Sequence, residues 1–169
     1  MIHLKGSCHC GQVEFEFDSE TPVPFMRCFC SICRKTSGGG GGYTANIMGL
    51  SKTLVITKGS DKIKSYRAIK DKTKPLEEQQ QCQDRFFCPQ CASYLWAYSD
   101  EWKQWIYPYA SAIDTPMKPP PATASIMLES AAEWADPRKL PRRAELNQMF
   151  DEYPDFSLEM WHKEHGELV

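Results

Sequence analysis

Seven of the chain's eight cysteines fall into three tight clusters within 169 residues. The clusters are Cys8-x-Cys10, Cys28-x-Cys30-x-x-Cys33 and Cys88-x-x-Cys91. Spacings of one or two residues direct neighbouring sulfurs to a common centre, which is the arrangement that tetrahedral zinc requires. Disulfide frameworks, the alternative for an even number of cysteines, generally join cysteines that are spread more widely. The clustering therefore favours zinc over a disulfide or redox scaffold.

Two of the clusters together supply a complete set of zinc ligands. Each contributes a pair of thiolates, and the four ligands are Cys8, Cys10, Cys88 and Cys91. A closed site of four cysteines has no position for a substrate, so it is typical of structural zinc. Such an ion contributes folding free energy because metal binding and folding occur together.

The middle cluster offers three ligands, Cys28, Cys30 and Cys33. Three protein ligands leave a fourth position for water or a substrate atom, which is the pattern of catalytic zinc. Alternatively, Cys82 or a histidine fills that position and closes the site. Because Cys82 has no partner at the usual ligand spacing, we interpret it instead as a strand thiol that packs as a small hydrophobic side chain.

Composition indicates a globular chain and excludes several classes of partner. Hydrophobic residues make up 41% and charged residues 25%, with a net charge of −2, so there is no global field for nucleic acid or an anionic membrane. Residues 51–75 carry eight basic and two acidic side chains, but aromatic residues that stack on bases are sparse there. We interpret this segment as the solvated face of a hairpin followed by a lysine-rich loop.

Two kinds of sequence segment that would direct a protein to a membrane or out of the cell are not found. No apolar run approaches the roughly 20 residues of a membrane-spanning helix, and the first residues lack the apolar stretch of a secretory signal. We therefore expect a cytoplasmic protein whose residues 1–169 form a single domain.

Strand patterns dominate, so the predicted fold class is mainly β. Strands are predicted at 13–17, 54–56, 63–69, 94–98, 105–107 and 125–129, with a turn at 58–61 joining the second and third. Short helices are predicted at 31–36, 142–150 and 157–165, the last with Ser157 as its N-cap and Gly166 as its end. Five consecutive glycines, 38–42, predict a flexible loop or a close approach of the backbone to a ligand.

Several blocks of the sequence resemble one known family. They are Gly6-Ser7-Cys8-His9-Cys10-Gly11-Gln12-Val13-Glu14-Phe15, Cys28-Phe29-Cys30-Ser31-Ile32-Cys33-Arg34-Lys35, Phe87-Cys88-Pro89-Gln90-Cys91 with Leu95-Trp96, Ala132-Glu133-Trp134-Ala135, and Trp161-His162. In their order and span they resemble the glutathione-dependent formaldehyde-activating enzymes. The sequence departs from that family at Ala92, where a glycine is usual, and in its glycine run and Cys82.

The resemblance implies a Mss4-like fold of small packed antiparallel sheets with short C-terminal helices. It implies a structural zinc on Cys8, Cys10, Cys88 and Cys91, and a second, labile zinc on Cys28, Cys30 and Cys33. It also implies a carbon–sulfur lyase that acts on S-(hydroxymethyl)glutathione or a related thiol–aldehyde adduct. Substrate identity transfers less readily than fold.

Candidate residues for that chemistry lie near the clusters. Arg34 and Lys35 are candidates to offset the net negative charge of zinc with three thiolates and to attract an anionic thiol substrate; alternatively, they are solvated cations. His9 and His162 are the available proton carriers. Trp102, flanked by charged residues, is the aromatic candidate for substrate contact.

Other aromatic residues fit the core better. The strand pattern places Trp96 and Trp105 there, and Tyr43 is a further candidate for the cleft wall.

Two other functions compete with the lyase. One is a non-catalytic zinc scaffold that binds a protein partner. The other is a redox or metal-buffering role for Cys28, Cys30 and Cys33.

Overall fold

The computed structural model describes residues 1–37, 40–140, 155 and 157–165. Its regular elements in chain order are β1 (Ile2–Ser7), β2 (Glu14–Ser19), β3 (Met26–Cys28), α1 (Ser31–Thr36), β4 (Thr44–Ala45), β5 (Gly49–Leu50), β6 (Val55–Lys58), β7 (Lys64–Ile69), β8 (Gln81–Phe87), β9 (Tyr94–Tyr98), β10 (Trp105–Pro108), β11 (Ala124–Ile126) and α2 (Leu158–Glu164). Short strands outnumber helices among these elements, which confirms the mainly β class.

The strands form three small sheets. The first has the order β1-β2-β6, the second β5-β10-β9-β8-β7 and the third β11-β3-β4. Neighbouring strands are antiparallel except for β11 and β3, which pair in parallel. No described helix has the length and apolar character needed to cross a bilayer.

The core lies between the first two sheets. Alternate residues of β1 and β2 point inward and pack in one hydrophobic core, which also contains two buried cysteines. They include Leu4, Val13, Phe15, Phe17, Leu95, Trp96, Ile106, Cys8 and Cys88. The ring of Phe15 lies 5.0 Å from that of Trp96, so an aromatic pair joins the two sheets. Trp96 is therefore a core residue, as predicted.

The expected hairpin over 54–69 is wrong, although both of its strands exist. β6 pairs antiparallel with β2, whereas β7 pairs antiparallel with β8 in a different sheet. Gly59, between the strands, has a φ of +70°, and a Cβ there would lie 2.1 Å from the carbonyl oxygen of Gln12. The segment between β6 and β7 therefore leads from the first sheet to the second and packs against the loop before β2.

The glycine run makes a close approach, but to protein. Gly42 has a φ of +70°, and a Cβ on it would lie 2.4 Å from that of Ala135 and 3.3 Å from the ring of Trp134. The backbone therefore lies directly against the turn at Glu133–Ala135. Gly38 and Gly39 lie outside the described residues.

The chain divides into two compact units, Met1–Arg138 and Lys139–Val169. In the second unit, α2 begins after Ser157, whose hydroxyl accepts a hydrogen bond from the Met160 backbone N–H at 3.1 Å, as expected of an N-cap. The helix predicted at 142–150 and the stop at Gly166 lie outside the described residues. The single domain predicted over 1–169 stays a prediction.

Candidate metal centres and an adjoining cleft

The first site brings together four cysteines from two distant loops. The Sγ atoms of Cys8, Cys10, Cys88 and Cys91 all lie within 4.8 Å of one another. Two of these separations are 3.5 Å and 3.8 Å. Thiolates placed tetrahedrally around zinc at about 2.3 Å are separated by about 3.8 Å. We call these four residues the first cluster, and their spacing fits a four-coordinate metal ion.

Backbone hydrogen bonds shape the first of these loops. The Val13 backbone N–H donates to Cys8 Sγ at 3.3 Å, and the Gly11 N–H donates to the Cys8 carbonyl at 2.9 Å. The loop turns through Gly11, whose φ is +67°. An N–H directed at the sulfur stabilises its thiolate form, which is the form that binds metal.

The second loop turns through a non-glycine residue. The Ala92 backbone N–H donates to the Cys88 carbonyl at 2.8 Å, and Ala92 has a φ of +58°. The thiol of Cys91 lies 3.3 Å from Ser93 Oγ. Although burial opposes ionisation, the hydrogen bonds of Ser93 lower the pKa of Cys91 to about 5. The loop therefore supplies a sulfur prepared as a thiolate.

The second site is built on the start of α1. The Sγ atoms of Cys28, Cys30 and Cys33 lie within 4.8 Å of one another, and we call these residues the second cluster. Cys28 ends β3, Cys30 is the N-cap of α1, and Cys33 lies within the helix. Cys33 is buried, whereas Cys28 and Cys30 are partly exposed.

The three thiols of the second cluster share their protons unequally. Hydrogen bonds from Cys28 and Cys33 lower the pKa of Cys30, whose sulfur also accepts the Cys33 backbone N–H at 3.3 Å. Hydrogen bonds with Cys28 and Cys30, together with burial, raise the pKa of Cys33. A soft divalent metal ion that replaces these shared protons fits this donor set.

Among the described residues, the structure groups these seven cysteines into the same two sets, and their role as zinc ligands stays a prediction. Cys82, on β8, belongs to neither group of potential metal ligands.

A polar cleft of about 530 Å³ lies beside the first cluster and α1. Cys8, His9, Ala92 and Ser93 line one part of it, and Thr36 and Ser37 line another. Ser7, Tyr94, Ser111, Ala112 and Asp114 complete the lining. Ser37 follows Cys33 by four residues, or about 6 Å along a helix axis. The cleft therefore borders the helix that carries the second cluster, and its volume is typical of small-molecule sites.

A smaller cavity borders Cys28 itself. It has a volume of about 270 Å³, and its walls are almost entirely apolar, with Phe25, Met26, Ile47 and Met48 among them. One thiol of the second cluster therefore faces an apolar environment that is distinct from the polar cleft.

The three predicted substrate-contact residues, Arg34, Lys35 and Trp102, differ in their exposure and contacts. Lys35 is exposed on α1, and Arg34 is partly buried with its Nε lacking a hydrogen-bond partner. Trp102 is 39% exposed, and its ring meets Tyr107 edge-on at 6.2 Å. None of the three lines the cavities described above. The structure thus gives Trp102 a surface packing contact and does not bring it to a thiol cluster.

Of the two candidate proton carriers, the structure describes the side chain of only one. His9 is exposed and lines the polar cleft. The side chain of His162 lies outside the described part of the chain.

Two functional candidates escaped the sequence analysis, Arg85 and Tyr109. Arg85 is 4% exposed on β8 and donates from Nη1 to the hydroxyl of Tyr109 at 2.9 Å. Its charge acts on the Cys33 thiol, where it opposes the influences that raise the pKa of Cys33. In the sequence, Arg85 stands between Asp84 and Phe86, and nothing local distinguishes it from an exposed residue.

Comparison with known proteins adds three findings. Residues 3–130 match the family model described as glutathione-dependent formaldehyde-activating enzyme. A protein of Halomonas elongata, named "Putative glutathione-dependent formaldehyde-activating enzyme", is 42% identical over 164 residues, which are 96% of this chain and 96% of that protein. The crystal structure of a Rhodobacter sphaeroides protein is similar with a TM-score of 0.50, covering 68% of this chain and 91% of that one at 20% identity. This last similarity concerns the fold alone.

Proposed function

The chain belongs to the glutathione-dependent formaldehyde-activating enzyme family, and on that premise we propose that it is a carbon–sulfur lyase. Its substrate is S-(hydroxymethyl)glutathione or a related adduct of a small thiol and an aldehyde. The observation that carries the proposal is the polar cleft between the first cluster and the helix of the second.

The two clusters are assigned different tasks. Cys8 and Cys88 are buried in the main core, so the first cluster is suited to hold a structural ion. Cys28, Cys30 and Cys33 are proposed to hold a labile zinc ion. With three protein ligands, such an ion leaves one position open and supplies a Lewis acid that favours the thiolate form of a bound thiol.

The cleft is suited to a peptide-like thiol. Its hydroxyls at Ser37, Ser93 and Ser111 can exchange hydrogen bonds with amide groups, and the Asp114 carboxylate can pair with an ammonium group. Ser37 is itself held by Thr44, whose Oγ1 lies 2.7 Å from Ser37 Oγ. This part of the wall is therefore fixed before the substrate binds.

The reaction requires one proton movement. When the C–S bond of the adduct breaks, the hydroxyl proton leaves the carbon-bound oxygen, the aldehyde forms and the sulfur receives a proton. His9 is the imidazole in the cleft and is proposed to carry that proton. We also propose a cytoplasmic location, because clustered thiols stay reduced there.

The first test is the zinc content per chain after purification under reducing, oxygen-free conditions without chelator. Two zinc ions are expected, and one would leave only the structural site. The second test is the rate of formaldehyde exchange with glutathione, followed by exchange NMR, in the wild type, Cys30→Ser and Cys82→Ser. Cys82→Ser removes a cysteine from outside both clusters and serves as the matched control.

We expect Cys30→Ser to reduce the catalysed exchange to the uncatalysed rate, while Cys82→Ser keeps the wild-type rate. Wild-type activity in Cys30→Ser would contradict the proposed site. Two bound ions with no effect of the wild type on exchange would instead favour the zinc scaffold.

A further inference from the structure

Arg85 is a buried cation that forms no ion pair with a carboxylate of the described residues. Its side chain is 4% exposed, and its Nε has no hydrogen-bond partner in the part of the chain that the structure describes. Among the described residues, the arginines that form ion pairs are Arg67, with Asp84, and Arg138, with Asp136. A charge buried in this way costs several kcal/mol unless an opposite charge compensates it.

The hydroxyl of Tyr109 does not provide that opposite charge. It accepts a hydrogen bond from Arg85 Nη1 at 2.9 Å and is fully buried. Burial raises the pKa of Tyr109 above its ordinary value, so the phenol is neutral at physiological pH. Tyr109 therefore orients the guanidinium and leaves its charge unneutralised.

The negative charge within reach of Arg85 comes from the second cluster. The fold brings Arg85 to this cluster through its partner Tyr109, which pairs with Asn46. Two residues before Asn46, Thr44 pairs with Cys28 and donates from Oγ1 to the Cys33 carbonyl at 3.0 Å. Arg85 and Cys33 also influence each other electrostatically. Three thiolates on a divalent ion carry a net charge of −1, which a single guanidinium balances.

Two cations lie nearer along the sequence, on α1. Lys35 is exposed, so solvent screens its charge, and Arg34, next to Cys33, is partly buried and is the competing countercharge.

We propose that Arg85 is the buried countercharge of the second cluster, held in place by Tyr109, and that it raises the affinity of Cys28, Cys30 and Cys33 for a divalent metal ion. This inference rests on the proposed function, since it requires a metal at the second cluster. Arg85 is a positioning and charge-balancing residue, because it acts on the cluster and not on the substrate.

The test measures metal affinity and does not depend on turnover. Each variant is titrated with Co²⁺ against a competing chelator under oxygen-free conditions, and the cobalt–thiolate absorption of each cluster is followed. The signal of the second cluster is identified by its loss in Cys28→Ser. The first cluster serves as an internal reference in the same molecule.

The variants separate charge from packing. Arg85→Met removes the charge, Arg85→Lys retains it, and Arg85→Gln provides an uncharged polar side chain if the methionine variant does not fold. Arg67→Met is the matched control, because it removes an arginine that is 51% exposed from the adjacent strand of the same sheet. Arg34→Met and Lys35→Met test the two competing cations on α1.

We expect Arg85→Met or Arg85→Gln to weaken Co²⁺ binding at the second cluster roughly 10- to 100-fold, the usual effect of losing a partner just outside the ligand shell. Arg85→Lys, Arg67→Met, Arg34→Met and Lys35→Met should stay within a few-fold of the wild type.

Unchanged affinity in the neutral variants would overturn the inference, as would an equal loss in Arg85→Lys or an equal loss at the first cluster. These results differ from failure of the proposed function, in which the wild type itself binds only one ion.

Discussion

The hydroxyl of Ser93 accepts a hydrogen bond from the His9 backbone N–H at 3.1 Å. The same hydroxyl lies 3.3 Å from the thiol of Cys91. A single side chain thus joins the Cys8–Cys10 loop to the Cys88–Cys91 loop and also lines the polar cleft. Partners of this kind orient the ligands, and losing one commonly weakens metal binding roughly 10- to 100-fold.

We expect Ser93→Ala to lower the free energy of unfolding by about 1 kcal/mol and to weaken metal binding at the first cluster, because two groups lose a partner. Denaturant unfolding and chelator competition measure the two effects. Ser111→Ala, from the same cleft, has no side-chain hydrogen bond to a described residue and is the control. Equal behaviour of the two variants would contradict the joining role of Ser93.

The clusters should differ in what they contribute to the fold. Cys88 is fully buried in the core, whereas Cys30 is partly exposed at the start of a short helix. We expect Cys88→Ser to abolish cooperative folding, because the binding free energy of a structural zinc is comparable to the whole stability of a domain. Cys30→Ser should keep a cooperative thermal transition by circular dichroism. The reverse order would contradict the assignment of structural and labile sites.

Ala92 adopts the left-handed conformation that glycine adopts readily. For an alanine this conformation costs about 1–2 kcal/mol, and the greater freedom of glycine in the unfolded chain offsets about half of that. We expect Ala92→Gly to raise the free energy of unfolding by about 0.5–1 kcal/mol in denaturant titrations. Ala131→Gly is the control, because Ala131 has a φ of −62° and glycine relieves nothing there. A loss of stability in both variants would show that Ala92 is unstrained.

The imidazole of His3 lies 2.9 Å from an Asp18 carboxylate oxygen and 3.4 Å from one of Glu16. Hydrogen bonds with Asp18 and then Glu16 raise the pKa of His3 above 6.5. A raised pKa in the folded state stabilises the protein below the unfolded value, and this contribution is lost as the pH rises through the folded value.

NMR titration should therefore give a His3 pKa above 6.5 that falls toward 6.5 in Asp18→Asn. The stability advantage of the wild type over His3→Gln should decrease from about pH 6 to pH 8. A pKa at or below 6.5 would be inconsistent with the pairing across β1 and β2.

Local sequence signals located the strands more reliably than their partners. The segments that became β6 and β7 were recognisable from their apolar residues, but the turn between them suggested a hairpin. Strand pairing is decided by burial against distant residues, and β6 gains this by packing beside β2. The Ser157 N-cap is a contrasting case, because its hydrogen bond spans only three residues and was predictable from local spacing.

For the candidate site, the sequence by itself determined the chemistry of the donors. Cysteines one or two residues apart place their sulfurs together, so each tight group was predictable. That the first and last pairs meet was predictable only because a four-coordinate ion needs two such pairs. The structure alone decided what surrounds those donors. Arg85 lies more than 50 residues from the second cluster along the chain, and Ser93 lies 84 residues from His9.

Neither long-range relationship leaves a local pattern, because an arginine or a serine in a strand or loop is equally compatible with solvent. When such a side chain is buried, solvent is no longer available as its hydrogen-bond partner. Once β8 and the loop after Cys91 are packed, their polar groups must find partners among the residues that the fold places beside them.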